Sequence, residues 1–329
     1  MFLVPILRRI LDLKFIRQGW HLNYLLFFRY NNLINFKPNK NMFEVTKEIL
    51  KNIYAPRPAD SRKYDYGLLL VIGGSEFYSG SPALSALAAF RAGVDMVRVI
   101  APKRAADIIA SFTPALAAYP LKGDCLASEH LATLISMSEA AKAVSRGKTA
   151  VVIGGGVGRS EKTQKAIIEY LSQTNIPTVI DADALHALRL DPGVIFGKPF
   201  LLTPHTYEFF VVTGKEIYQR PENEKMKVVQ EEAARFKTTI VLKGPVDIVS
   251  DGSEIALNRT GCAYMTVGGM GDTLAGICGA LLARGVKPFE AGQAGAYING
   301  LAGELAANKL GESTIATDLI EAIVDAIKF

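Results

Sequence analysis

The apolar positions of this chain fall into short unbroken blocks that are separated by polar or glycine-rich turns. These blocks occupy residues 67–72, 94–100, 150–153, 178–181, 200–203 and 239–242. They lack the alternation that a half-exposed strand shows, so they predict strands that are covered on both faces. Such strands belong in a mostly parallel sheet, because its crossover connections place helices on either side.

Longer segments rich in alanine and leucine lie between and after the blocks and predict helices. They cover residues 82–90, 103–109, 163–173, 273–284, 288–309 and 315–327. Ser81 and Pro82 mark one start, since serine caps helices and proline suits the first helical position. Residues 246–257 predict a hairpin with an Asp-Gly turn. The alternation of strands and helices predicts an α/β fold, a single domain from about residue 43, with helices on both faces of the sheet.

The basic residues concentrate at the amino-terminal end. The formal net charge is +5, and residues 1–41 hold seven bases and one acid, so removing this surplus of six leaves −1. The segment could be a targeting or amphipathic stretch, an extra docked helix, or a start-site artefact. We favour the artefact, because composition changes abruptly at Met42, after which residues 43–50 resemble a first helix. We therefore treat 1–41 as a basic extension outside the fold and 42–329 as the domain.

Composition also narrows the function classes. A charge of about −1 without the extension gives no electrostatic support for binding nucleic acid. Three cysteines without C-x-x-C spacing indicate a reducing compartment, which we take as the cytoplasm, and argue against structural zinc. No uninterrupted apolar run reaches the length of about 18 residues that a membrane helix requires, so no membrane partner is expected.

Glycines and polar side chains recur where the predicted strands end. The clusters are residues 73–75, 154–159, 181–183, 203–205 and 243–244. Ligands bind beyond the carboxyl ends of the strands in parallel sheets, so these five clusters predict one long groove. Residues 154–158 match neither the phosphate-binding P-loop nor the dinucleotide fingerprint.

A glycine-dense turn, residues 268–272, directly precedes a predicted helix. Its open backbone N–H groups and the helix N-terminus make an anion site. Asp272 would repel phosphate, but it could take a proton from a hydroxyl that attacks phosphorus. It could equally be an ordinary helix cap.

Other polar candidates keep two interpretations each. Asp181 and Asp183 could cap the following helix or lie near magnesium or phosphate. His205 is either structural or a ligand contact. Lys243 could reach a nucleotide phosphate or remain a solvated surface charge.

Six ordered motifs between residues 66 and 303 resemble the ADP/ATP-dependent NAD(P)H-hydrate dehydratases of the ribokinase-like superfamily. They are Gly73-Gly74-Ser75 with residues 78–83, the glycine run 154–158, the Asp-Ala-Asp strand end at 179–185, the Leu-Thr-Pro-His at 202–205 with Glu208-Phe209, Lys243-Gly244, and the turn 268–272. This chain departs from the family pattern at three positions: Ser81 stands for alanine, Gly155 for proline and Met270 for serine. Met270 leaves the shape of the anion turn open.

The resemblance implies a three-layer α/β/α ribokinase-like fold and a repair reaction. Such enzymes phosphorylate the ring hydroxyl of hydrated NADH or NADPH from ADP, or from ATP in eukaryotic members, and then eliminate phosphate. The resemblance also implies magnesium bridging the phosphates, and assembly as a homo-oligomer, either a dimer or a tetramer. Longer members carry a fused epimerase domain. The residues before the first motif are too few for one, so any epimerase is expected on a separate chain.

Carried over residue by residue, the resemblance assigns three groups of residues. Asp272 would be the base, with the amides of Gly269 and Gly271 stabilising the transferred phosphoryl group. The hydrate would be lined by Ser81, Gly156, Gly158, His205 and Asp272. The nucleotide would be held by Lys243, Gly244, Pro245, Val246 and Asp247, and by Gly268, Gly269, Met270 and Gly271.

Two rival functions stay open at this point. A small-molecule kinase of the same fold, acting on a thiazole, pyrimidine or sugar alcohol, would use the same aspartate and the same turn. A non-catalytic nucleotide-binding or regulatory protein would bind ADP without turnover.

Overall fold

A computed structural model describes residues 42–328 of the chain. The hypotheses about residues 1–41 fall outside this part. Ten strands form one sheet: β1 (Met42–Glu44), β2 (Leu68–Ile72), β3 (Met96–Pro102), β4 (Ala117–Leu121), β5 (Thr149–Ile153), β6 (Thr178–Ile180), β7 (Phe200–Leu202), β8 (Thr239–Leu242), β9 (Asp247–Ser250) and β10 (Ile255–Asn258). Their order across the sheet is β1-β10-β9-β8-β7-β6-β5-β2-β3-β4. Only β9 runs antiparallel to its neighbours.

Helices cover both faces of the sheet. They are α1 (Ile49–Ile53), α2 (Gly80–Arg91), α3 (Lys103–Ala110), α4 (Leu131–Val144), α5 (Glu161–Gln173), α6 (Asp183–Ala187), α7 (Thr206–Thr213), α8 (Glu222–Phe236), α9 (Met270–Ala283), α10 (Pro288–Leu310) and α11 (Ala316–Ala326). Short 3₁₀ turns occupy Ser128–His130, Pro192–Ile195, Ala263–Thr266 and Gly311–Ser313.

The two hydrophobic cores explain why the strands are apolar without alternation. Leu69 and Val71 of β2 pack in the core beneath helices α2, α9, α10 and α11. Leu70 and Ile72 of the same strand point to the opposite core, beneath α4, α5 and α8. Successive side chains of a strand face opposite sides of the sheet, so every position of β2 is buried. This confirms the predicted three-layer arrangement.

The structure corrects the expectation for residues 43–50. Residues 42–44 form the edge strand β1, parallel to β10 with Phe43 opposite Ala256, and only residues 49–53 are helical. Phe43 also packs edge-to-face on Phe289, with 6.3 Å between ring centroids. Pairing with a strand more than 200 residues away outweighs the local pattern, which carries no sign of that partner.

Helix boundaries give a second correction. Ser81 does not cap α2, because the helix begins at Gly80 and places Ser81 inside its first turn. Strand β4 and helices α4, α7 and α8 carried no prediction. Three of the five residues of β4 are exposed and one of these is a proline, so its sequence lacks the apolar block that marked the central strands.

Candidate active site

The strand-end clusters meet at the carboxyl edge of the sheet, and backbone hydrogen bonds join each cluster to the next. The Gly74 N–H donates to the Gly155 carbonyl at 2.8 Å, and the Asp181 N–H donates to Ile153 at 3.1 Å. Further along, the Lys243 N–H donates to Pro204 at 2.8 Å. The predicted clusters therefore form a continuous row of loops along this edge.

Asp272 lies in the first turn of α9, beside this row. Gly269 caps the helix with φ 96°, a left-handed conformation that glycine adopts at no steric cost. A Cβ added at Gly155 would lie 3.1 Å from Oδ1 of Asp272 and 3.0 Å from Cβ of Ser81. The structure thus brings Asp272, Ser81 and the glycine run 154–158 together, as the sequence predicts.

The surroundings of Asp272 make it a weaker acid. Burial raises the pKa of its carboxyl to about 7, and the negative charge of Asp181 adds to this increase. The Ser81 side chain and the Lys243 ammonium act in the opposite direction but do not restore the ordinary value. A carboxyl with a pKa near neutrality suits a general base, since it can exchange a proton in either direction.

The backbone at the start of α9 supplies an anion site. The first N–H groups of a helix have no partner within it, and here they belong to the turn around Gly271. A Cβ at Gly271 would lie 3.4 Å from the Nζ atom of Lys243, so a fixed positive charge adjoins these amides. Thr273 and Asn299 hold the turn, because their side chains bond to each other at 2.7 Å and both donate to the Met270 carbonyl.

Met270 contributes packing rather than polarity. Its side chain is buried in the core beneath α9. The serine-to-methionine departure from the family pattern therefore removes a hydroxyl without disturbing the helix start, which the Thr273 and Asn299 bonds define.

Lys243 is held by two buried carboxylates. Its Nζ atom lies 2.9 Å from Oδ1 of Asp181 and 3.6 Å from Oε2 of Glu208. Burial alone would lower the pKa of Lys243, but these carboxylates outweigh it and raise the pKa above its ordinary value. Thr203 donates to the same Asp181 oxygen at 2.8 Å. The solvated-surface interpretation of Lys243 is therefore wrong.

His205 caps helix α7. Its Nδ1 accepts from the N–H groups of Tyr207 and Glu208, each at 3.2 Å, while the Glu208 carboxylate accepts from the His205 N–H at 2.8 Å. This reciprocal pair leaves Nε2 on a half-exposed ring, 3.5 Å from the other Glu208 oxygen. His205 is thus structural through one nitrogen and open to a ligand through the other.

Asp183 ties the glycine run to the strand beside it. Its carboxylate accepts from the Gly158 N–H at 3.0 Å and from Nε of Arg159 at 2.7 Å. Gly156 lies against Tyr78, since a Cβ at Gly156 would be 2.8 Å from Cβ of Tyr78. Neither Asp181 nor Asp183 caps α6 with its side chain, because the cap residue is Ala182.

The segment 243–247 forms the turn between β8 and β9. The Gly244 N–H donates to Asp247 at 3.0 Å, and Asn258 donates to the other Asp247 oxygen at 3.0 Å. Burial raises the pKa of Asp247 to about 6, although these two hydrogen bonds act to lower it. Pro245 and Val246 complete the turn, so the predicted nucleotide segment adjoins Lys243 at one end and Asp247 at the other.

Two contributors to this site escaped the sequence analysis as functional residues. Glu208 binds both Lys243 and the His205 backbone, and Asn258 fixes Asp247. The three-residue spacing between His205 and Glu208 is that of a capping box, which could have indicated the first. Nothing in the sequence marks Asn258, because its partner belongs to the neighbouring strand.

The described residues offer no ready-made metal cage. Within residues 42–328 no three His, Cys, Asp or Glu side chains are grouped as a metal site requires. Magnesium in phosphoryl-transfer sites is held by one or two carboxylates together with substrate phosphates. In that second arrangement the ion arrives with the nucleotide and needs no preformed cage.

A separate cavity lies away from this site. About 840 Å³ opens at the amino edge of the sheet, between Arg62, Arg146, Lys148 and Arg284. It contains none of the residues described above. Across the part of the chain that the structure describes, no helix has the length and apolar character needed to cross a bilayer.

Residues 69–325 match the family of NAD(P)H-hydrate dehydratases. The chain belongs to this family. A relative from Pyrobaculum aerophilum, named a bifunctional NAD(P)H-hydrate repair enzyme, is 43% identical over 274 residues, which are 83% of this chain and 52% of that protein. An ADP-dependent (S)-NAD(P)H-hydrate dehydratase from Cenarchaeum symbiosum is 35% identical over 285 residues, or 86% of this chain and 96% of the relative.

Solved structures confirm the fold of this NAD(P)H-hydrate dehydratase family member. A ribokinase-like superfamily protein from Enterococcus faecalis superposes with a TM-score of 0.75 at 26% identity, covering 88% of this chain and 96% of its own. A Bacillus subtilis ADP/ATP-dependent NAD(P)H-hydrate dehydratase, co-crystallised with ATP and Mg²⁺, superposes with a TM-score of 0.70 at 24% identity. The match covers 88% of this chain and 98% of that structure. The chain spans about half the length of the first curated relatives it matches.

Proposed function

We propose that this protein dehydrates the hydrated forms of NADH and NADPH, using phosphoryl transfer from ADP or ATP. One observation carries the proposal: Asp272, with a pKa of about 7, lies between the glycine run, the α9 amides and Lys243. Family membership supplies the substrate, and this geometry supplies a base and an anion site side by side.

Asp272 acts first on the ring hydroxyl of the hydrate. Its carboxylate takes the hydroxyl proton while the oxygen bonds to the terminal phosphorus of the nucleotide, and the bond from that phosphorus to the next phosphate breaks. ADP would thus leave as AMP. Because Oδ1 of Asp272 faces Gly155, a substrate along the glycine run would have its hydroxyl within reach.

The negative charge of the transferred group would be stabilised by the backbone at Gly269 and Gly271 and by the Lys243 ammonium. Such groups are fixed before the reaction begins, so they need not reorganise as charge develops. Asp181 and Glu208 hold Lys243 beside this turn.

The second step releases orthophosphate. The bond between the ring carbon and the phosphate oxygen breaks, and its electron pair leaves with the phosphate. A proton leaves the neighbouring ring carbon, which restores the double bond. Phosphate leaves far more readily than hydroxide, so the site need only shield the ring and accept a proton.

Ligand positions follow from the two sides of Asp272. The hydrate would lie against Ser81, Gly156, Gly158 and the half-exposed ring of His205. The nucleotide would lie along the β8–β9 turn at 243–247 and the helix turn at 268–271, with magnesium bound to its phosphates. ADP is the preferred donor, since the relatives from Cenarchaeum symbiosum and Nitrosopumilus maritimus are named ADP-dependent.

The wider setting belongs to the same proposal. The word bifunctional in the names of longer relatives fits a second repair activity, so an epimerase acting on the same hydrate is the expected partner. We expect a cytoplasmic homo-oligomer, a dimer or a tetramer, that binds neither nucleic acid nor membranes.

The test is incubation with NADH hydrate, magnesium and either ADP or ATP. Recovery of the absorbance of reduced nicotinamide together with orthophosphate in equal amount supports the dehydratase. A stable phosphorylated product would instead indicate the small-molecule kinase, and ADP binding without any product would indicate a regulatory protein.

A further inference from the structure

An aromatic and cationic surface lies next to the proposed hydrate site. We define the outer surface by the exposed side chains of Arg159, His205 and Tyr207, next to which lies the buried His186. The Tyr207 ring is 61% exposed and stacks on the His205 ring at 26°, with 6.4 Å between centroids. The centroid of the Tyr207 ring also lies 6.1 Å from that of His186, which belongs to α6, with the two rings tilted by 48°.

Arg159 completes this surface with an anchored guanidinium. Its Nε donates to Asp183, but its two Nη atoms make no hydrogen bond to any residue in the described range 42–328. More than half of the side chain is exposed. Its charge and that of His205 both act on His186, so the four residues form one neighbourhood. A guanidinium fixed through Nε presents its remaining N–H groups as a fork that suits phosphate oxygens.

The outer surface adjoins Asp272 on the side of Asp183 and Gly158. Asp183, the anchor of Arg159, also accepts from Gly158 and lies close enough to raise the pKa of Asp272. A ring held at Asp272 would therefore have its attached phosphates directed past Gly158 towards Arg159. The nucleotide donor lies on the opposite side, beyond Lys243.

We infer that the outer surface binds the adenosine diphosphate half of the dinucleotide hydrate, with the base stacked on Tyr207 and the diphosphate on Arg159. This inference rests on the proposed function and extends it. An exposed, oriented aromatic ring provides a stacking platform for a base, and an adjacent fixed guanidinium provides the charge for its phosphates.

The experiment compares two substrates: the hydrate of NADH and the hydrate of reduced nicotinamide mononucleotide, which lacks the adenosine half. Tyr207→Ala and Arg159→Ala should each raise KM for the NADH hydrate about tenfold and leave kcat within about twofold. KM for the mononucleotide hydrate should not change in Tyr207→Ala, and KM for ADP should not change in either variant. Tyr207→Phe should behave like the unaltered protein, because the ring face is retained.

Tyr218→Ala is the matched control, since this tyrosine is 72% exposed and lies outside the outer surface. A rise in KM for both hydrates in Tyr207→Ala would overturn the inference, because Tyr207 would then act on the reacting ring. A rise in KM for ADP would overturn it, because the surface would then bind the base of the nucleotide donor. Unchanged KM values in both variants would show that the outer surface does not bind the substrate. No turnover of either hydrate by the unaltered protein would count against the proposed function instead.

Discussion

The Nζ atom of Lys243 lies 2.9 Å from Oδ1 of Asp181, although 62 residues separate them along the chain. Asp181 is 3% exposed, and the ammonium also has Glu208 within 3.6 Å. Two carboxylates therefore hold one cation at the edge where the α9 amides begin. This arrangement keeps a positive charge in place without a bound ligand.

Removing the cation should destabilise the fold. In Lys243→Met two buried carboxylates lose the cation that they share. We therefore expect a loss of about 3–5 kcal/mol in the free energy of unfolding. The double variant Lys243→Met with Asp181→Asn should recover part of it, because one of the stranded charges is gone. Urea denaturation of both variants measures the difference. A single variant as stable as the unaltered protein would show that solvent already compensates the carboxylates.

Replacing the proposed base should separate chemistry from binding. Asp272→Asn keeps the shape of the side chain but cannot take a proton, so turnover should fall at least about a thousandfold while ADP affinity falls less than tenfold. Phosphate release and ADP titration measure the two quantities. Asp107→Asn, at an exposed aspartate of α3, is the control. Failure of Asp272→Asn to fold would indicate that the residue serves mainly to stabilise the start of α9.

The activity should depend on pH in the direction that a base requires. With a pKa of about 7, Asp272 is protonated and inactive in acid and becomes the carboxylate above neutrality. We expect kcat/KM for the hydrate to rise about tenfold per pH unit below 7 and to level off above it. A rate that falls over this interval would identify Asp272 as an acid rather than a base.

Loss of the Asp272 proton as pH rises should lower the stability of the fold, although it raises the activity. Its pKa is near 7 in the folded protein and near 3.8 in the unfolded chain, so the folded state holds the proton more tightly between these values. The stability it contributes is complete below about pH 4 and is lost as pH rises through 7. As pH rises from 4 to 8, the free energy of unfolding of Asp272→Asn should therefore increase by about 1–4 kcal/mol relative to that of the unaltered protein. Thermal unfolding of the pair across this range gives the value, and an unchanged difference would refute the raised pKa.

A chain beginning at Met42 should be as active and as stable as the full chain. It retains all three pairs of β1 with β10, including Met42 with Ile255 and Glu44 with Leu257. A chain beginning at Thr46 lacks them and leaves the β10 edge uncovered, so its Tm should fall by several degrees. Lower activity of the chain from Met42 would show that residues 1–41 take part in function.

The sequence by itself determined the layers and the location of the site. Unbroken apolar blocks such as residues 68–72 require cover on both faces, and parallel strands place the loops at their carboxyl ends along one edge of the sheet. The strand-end glycines, Asp181 and His205 were therefore expected to meet there, and they do. These inferences succeed because periodicity and chain direction are local properties that a sequence displays directly.

Only the tertiary structure decided the partners and the protonation. The pairing of Lys243 with Asp181 and Glu208, the inward side chain of Met270 and the edge strand β1 each depend on residues distant in sequence. The pKa of Asp272 depends on how much water the fold removes from its carboxyl and on which charges it brings close. Both quantities arise from packing in three dimensions, so no local pattern of residues encodes them.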